Sequence, residues 1–161
     1  MGWLSAVTLS FMCCLVACSA ADSKQDGPEN AGSNLVSDET AACISGHPAA
    51  EPFDVGEADV SAGANPTLDT FQSQCRSAGG AGCDGAFISK DAARCIAHNE
   101  KLETGLEPWS IGMSYKTSYR RLSWDVQNVT EDQGATYGGT TLTLDAVSGR
   151  VLGRSNWSTT H

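Results

Sequence analysis

The chain has 161 residues, with 19 acidic and 10 basic side chains and a formal charge of −9, a length that suits one small domain with additional segments. An acidic chain without a basic stripe argues against a nucleic-acid partner, because displacing phosphate counterions takes clustered Lys and Arg. The charge is uneven: residues 22–66 hold nine acids and one base, net −8, whereas residues 67–161 hold ten acids and nine bases, net −1.

The lead comes first. Residues 1–21 carry no charge, and the apolar run Val7 to Ala17 has the length of a signal-peptide core and is short for a bilayer span. Leu15-Val16-Ala17-Cys18 resembles the bacterial lipobox. That resemblance implies a signal peptide over residues 1–17 and an acylated Cys18, with diacylglycerol and an N-linked chain such as palmitate. More than one buried acyl chain anchors a protein stably to a membrane. Ser19 in the following position implies outer-membrane sorting in a Gram-negative cell. Two other readings stand beside it: an ordinary secretory signal cut after "ACSAA", and an uncleaved anchor over Gly2–Ala21.

Residues 18–40 follow as an acidic linker. They are rich in Ser, Asp, Asn, Gly and Ala, and Leu35 and Val36 are their large apolar residues, so burial cannot offset the entropy of ordering them. The expectation is a flexible tether. Residues 41–86 are expected to be loops with one short helix or turn, tied by cysteines. Within them, Thr67 can cap a helix in which Leu68, Phe71 and Cys75 share a face. The glycine-rich "RSAGGAGCDG" matches no phosphate-binding loop and reads as a connector.

Beyond Cys18, with Cys13 and Cys14 in the signal, Cys43, Cys75, Cys83 and Cys95 remain. An even set outside the cytoplasm predicts two disulfides, and separation favours Cys43–Cys75 with Cys83–Cys95 among three possible pairings. The alternative is a metal held by Cys83, Cys95, His98 and a fourth ligand; the chain has no C-x-x-C pair to support it.

The clearest helix spans Ser89 to Leu102, with Ser89 as N-cap and Asp91 in the first turn. After Pro108 the apolar period becomes two. Trp109, Ile111, Met113 and Tyr115 share one side; so do Leu122, Trp124 and Val126; so do Leu142, Leu144 and Ala146. Strict alternation predicts antiparallel strands with one covered and one polar face. Turns are expected at Lys116–Tyr119, Glu131–Gly139 and Ser148-Gly149, and "GRVLGRSNW" adds a short strand. The predicted class is α+β, one main helix on a three- to four-stranded antiparallel sheet over residues 87–161.

"FISKDAARCIA", the strand around "LSWDVQN" and the tail "LTLDAVSGRVLG" together resemble the PepSY domain, a cystatin-like arrangement. The strongest part is Leu144, Asp145, Ala146, Ser148, Gly149, Val151 and Leu152. The resemblance implies a non-catalytic module of the cell envelope that binds a protein partner, such as a secreted peptidase, and inhibits or chaperones it. It carries over no catalytic residue.

The residues by themselves point the same way. The three histidines, His47, His98 and His161, stand at no nucleophile or metal-motif spacing, and neither G-x-S-x-G nor H-E-x-x-H occurs. No cofactor motif is present. Asp54, Glu57 and Asp59 lack the glycine and closing glutamate of a calcium loop and read as a solvated acidic loop. Trp124 alternates with core residues and reads as core; Trp157 is the candidate partner contact.

Overall fold

The computed structural model describes residues 36–57 and 65–160. Three helices precede five strands: α1 (Asp38–Gly46), α2 (Leu68–Ser77) and α3 (Lys90–Asn99), then β1 (Ser110–Lys116), β2 (Arg121–Gln127), β3 (Glu131–Asp132), β4 (Thr136–Asp145) and β5 (Val151–Thr160). The class is α+β with an antiparallel sheet.

The sheet is a meander. β1 pairs with β2, β2 with β4, and β4 with β5 on its other edge. β3 continues the track of β2. From Gln127 to Glu131 is four residues, while their partners Thr141 and Gly138 are three apart. The extra residue is a bulge, bridged by Asn128 N–H to Thr140 O at 3.0 Å and Thr130 N–H to Gly138 O at 2.9 Å.

Alternation sorts the side chains. Met113, Trp124 and Leu144 form one cross-strand row, and Ile111, Val126 and Leu142 the next, all buried. Against these rows pack α2, through Phe71 and Cys75, and α3, through Ala92, Ala93, Ile96 and Ala97. Trp124 lies at the centre, fully buried, with its indole N–H donating to Ile88 O at 3.1 Å. Ile88 N–H in turn donates to Ala146 O at 2.9 Å. The segment entering α3 is thus hydrogen-bonded to the sheet in both directions.

Several expectations change. Residues 38–46, placed in tether and loop, form α1. Ser37 caps it, its hydroxyl accepting Thr40 N–H at 3.1 Å, and Asp38 and Glu39 favour the helix dipole. Residues 41–86 are more than a loop region: α1 and α2 share the core of the sheet through Cys43, Phe71 and Cys75. The predicted turn over residues 131–139 contains β3 and the start of β4. The expected short last strand runs ten residues.

The disulfide pairing is also corrected. Cys43 bonds Cys95, and Cys75 bonds Cys83. α1 lies along α3, which puts Cys43 beside Cys95, while Gly79 and Gly82, both at positive φ, turn the chain after α2 back so that Cys83 meets Cys75. With Cys83 and Cys95 in separate bridges, the metal alternative with His98 is removed. Among the described residues, no three His, Cys, Asp or Glu side chains stand where they can hold a metal ion.

The β4–β5 hairpin closes over α1 and α3. Gly149 sits at φ +72°, and a Cβ there would come within 2.7 Å of Ile96 Cδ1 and 3.0 Å of Thr40 Cγ2. Glycine is required at this position by conformation and by space.

Candidate functional site

The face of the sheet opposite the helices is polar. Register places Ser114 opposite Ser123, Gly112 opposite Asp125, and Lys116 opposite Arg121. It places Asp145 opposite Ser123, and Thr143 opposite Asp125. These side chains bond to one another. Asp125 accepts from Ser114 Oγ at 2.7 Å and Thr143 Oγ1 at 2.9 Å, and pairs with Lys116 Nζ at 2.7 Å. Gln127 Nε2 donates to Thr141 Oγ1 at 2.9 Å. At one end a Cβ on Gly153 would strike the Tyr119 hydroxyl, so the β1–β2 turn folds against β5.

Asp145 anchors this face to the hairpin. It is 3 % exposed, pairs with Arg121, and accepts from Ser148 N–H at 2.8 Å, Val147 N–H at 3.0 Å and Ser148 Oγ at 3.0 Å. Burial pushes its pKa up. The Ser148 amide, the Arg121 guanidinium, the Ser148 hydroxyl and the Val147 amide outweigh that and hold the carboxyl below its ordinary value. A carboxylate with a depressed folded pKa contributes stability above its unfolded value, about 3.9, and loses it as pH falls through the lower folded value. Urea denaturation between pH 2 and 7 is therefore expected to show stability falling below about pH 4, with a shallower fall in Asp145→Asn. Asp145→Ala is expected to cost about 3 kcal/mol at pH 7, the low end for breaking a buried pair, because Arg121 is one-third exposed.

The acidic loop is engaged internally. Asp54 Oδ2 pairs with Lys90 Nζ at 2.5 Å and Oδ1 accepts Gly56 N–H at 2.8 Å. The Lys90 hydrogen bond, then that of Gly56, lowers the Asp54 pKa. Asp59 and Cys18 lie outside the described residues. Asn128 is buried, its amide donating to Glu103 O at 2.9 Å and accepting Thr140 N–H at 2.7 Å, which makes it a structural brace of the bulge.

Trp157 lies on β5, half-buried, with its ring centroid 5.5 Å from that of Tyr137. Tyr137 is held in turn by its hydroxyl donating to Glu107 Oε2 at 2.9 Å, which raises its pKa. The Trp157 indole N–H is buried and finds no acceptor among the described residues. The candidate contact thus rests against its own sheet. Two groups far apart in sequence do meet: His47 and His98 line a cavity of about 430 Å³ beside Cys95 and Arg94, over the α1–α3 disulfide. For the α1 helix that brings His47 there, the one local signal is Ser37-Asp38-Glu39, a cap followed by first-turn acids, with no apolar stripe behind it.

The two sheet edges differ. Along β1, the segment Val55–Glu57 adds hydrogen bonds: Glu57 N–H to Ile111 O at 2.8 Å, and Met113 N–H to Val55 O at 2.9 Å, with Gly56 bridged to Gly112. Along β5, no described residue pairs with the outer edge. That edge runs ten residues without proline, and its one charged side chain, Arg154, donates to Glu100 O at 2.5 Å. Long exposed edges are the ones natural proteins otherwise blunt with several charges, Pro or a covering segment.

No protein-family model, no curated protein and no solved structure matches the chain. Among the described residues no helix is long and apolar enough to cross a membrane.

Proposed function

We propose that this chain is a non-catalytic, PepSY-like protein-binding module of the cell envelope, anchored through acylated Cys18, and that its partner adds a strand to the β5 edge. The observation that carries the proposal is the contrast between the covered β1 edge and the β5 edge, which is bare among the described residues. A row of unpaired backbone groups is a ready template for an extended segment of another protein. Three further features support it. The polar face has its charged groups tied to each other in Lys116–Asp125 and Arg121–Asp145 pairs, an arrangement that suits a scaffold. The tight turn expected at Ser148-Gly149 lies within the tail that carries the resemblance, with Asp145 accepting from Ser148 N–H. Two disulfides accord with an oxidising compartment outside the cytoplasm.

The test titrates the full chain, purified in detergent, into secreted metallopeptidases of the same source. Stoichiometric inhibition or protection at micromolar concentration is the result that a peptidase partner gives. Palmitate labelling that disappears in Cys18→Ser is the expected control for the anchor. Unchanged peptidase activity together with labelling would leave a structural or accessory envelope lipoprotein with no peptidase link.

A further inference from the structure

The β5 edge specifies its occupant more closely than "an extended segment". We propose that it is β5 of a second copy of this chain, paired antiparallel about a two-fold axis normal to the sheet. This inference rests on the reading of β5 as the binding edge and names the partner.

The first argument is the polarity of the strand. Arg154, Ser155, Asn156, Ser158, Thr159 and Thr160 are all exposed. They alternate between the two faces of the sheet, so the outer half of β5 is wet on both faces except at Trp157, which rests on Tyr137. An added strand that alternates apolar and polar residues would leave its apolar side chains in water. A strand rich in hydroxyls and amides suits this edge, and residues 154–160 of β5, Trp157 apart, are such a strand.

The second argument is register. A two-fold axis normal to the sheet keeps the helix-bearing faces on one side. Opposed residues must then share a face, so the axis passes midway between the two copies of one β5 residue. The two central choices are Ser155 and Asn156. With the axis at Ser155, Arg154 faces the second copy's Asn156 and Gly153 faces the second copy's Trp157. With the axis at Asn156, Arg154 faces the second copy's Ser158 and Ser155 faces the second copy's Trp157. Arg154 is the sole charged residue of the strand, so like charges are opposed in neither register, and cross-strand hydroxyl and amide pairs are favourable. The β5 edge, left bare among the described residues, would thereby be paired, in a closed isologous assembly that leaves β1 and its cover outermost.

One substitution opposes both registers. In Asn156→Lys, the new ammonium faces the second copy's Arg154 when the axis is at Ser155, and faces its own counterpart when the axis is at Asn156. Like charges directly opposite destabilise strand pairing. Asn156 is exposed, and the side-chain contact described for it is the hydrogen bond with Thr140 Oγ1 at 3.1 Å, so the fold is expected to survive, as a circular-dichroism melt would show.

The experiment is sedimentation equilibrium of the full chain in density-matched detergent, wild type against Asn156→Lys, with Ser155→Cys and Asn156→Cys variants oxidised and run on non-reducing gels. A concentration-dependent dimer, a dissociation constant raised about threefold to fivefold or more in Asn156→Lys, and a crosslink at Ser155→Cys or Asn156→Cys but absent at Thr117→Cys in the β1–β2 turn are the expected results. A wild-type chain that stays monomeric, or a dimer indifferent to Asn156→Lys, overturns the second copy. If the monomer instead captures a peptidase and Asn156→Lys releases it, self-pairing fails and the protein-binding reading stands. If neither partner is captured, both fail.

Discussion

Replacing Cys43 and Cys95 together by serine is expected to lower the stability by about 4 kcal/mol, against about 2.5 kcal/mol for Cys75 and Cys83. The difference follows from loop length. The first bridge spans 52 residues and the second 8, and the unfolded chain regains more freedom when the longer loop opens. The consequences also differ in place. Apart from the bridge, α1 is held by Asn99 Nδ2 to Cys43 Sγ at 3.2 Å, Ser89 Oγ to His47 O at 2.7 Å, and the contacts of Thr40 and Ile44 with the hairpin at Gly149. Thr40 and Cys43 are its buried residues, too little apolar area to keep a nine-residue helix docked without the bridge. Hydrogen exchange in the double variant is therefore expected to lose protection in α1 first, while β2 and β4 keep theirs. Uniform loss across the sheet, or a smaller effect than that of Cys75 and Cys83, would contradict this assignment.

The same helix shows where the sequence stops being legible. α3 could be read from Ser89 and Asp91 because its cap and its Ala92-Ile96 face are regular. Strands β1, β2 and the second half of β4 could be read because one face is buried and the other polar, which imposes a period of two. α1 was hidden because it buries two small residues and shows no apolar stripe. Without it, sequence separation alone could not pair Cys43 with Cys95. β5 is hard to read for a related reason: from Arg154 onward Trp157 is its single large apolar residue, so alternation carries no signal. At the start of β4, Gly138 and Gly139 look like turn residues. They are in a strand, paired on both edges, and the crowding there requires glycine: a Cβ at Gly139 would overlap the Asn128 carbonyl and one at Gly138 would come within 2.9 Å of Trp157 O. The candidate site followed the same pattern. The tail "DAVSGRVLG" correctly announced the hairpin, but the bare edge beyond it is a property of the whole sheet, and no local run of residues encodes it.

The largest side-chain effect is expected at Trp124. Trp124→Ala should cost about 3–5 kcal/mol, measured by urea or guanidinium denaturation. The residue is 0 % exposed. Its ring fills the space between the Met113–Trp124–Leu144 row and the segment that leads into α3, with the Phe53 ring centroid 6.1 Å away. Removing the indole opens a cavity that the sheet cannot close, because β2 is hydrogen-bonded along both edges, to β1 and β4. It also strips the donor from Ile88 O. Trp124→Phe separates the two contributions: the aromatic volume is mostly kept, the Ile88 carbonyl is left without its indole partner, and about 1–3 kcal/mol is expected. A domain of this size is stable by about 5–15 kcal/mol in total, so the alanine variant stands near the limit of folding and its yield should fall with it. A loss below about 1 kcal/mol for Trp124→Ala would mean that the indole is not packed as a core residue, and the helix-covered face would then have to be assigned afresh.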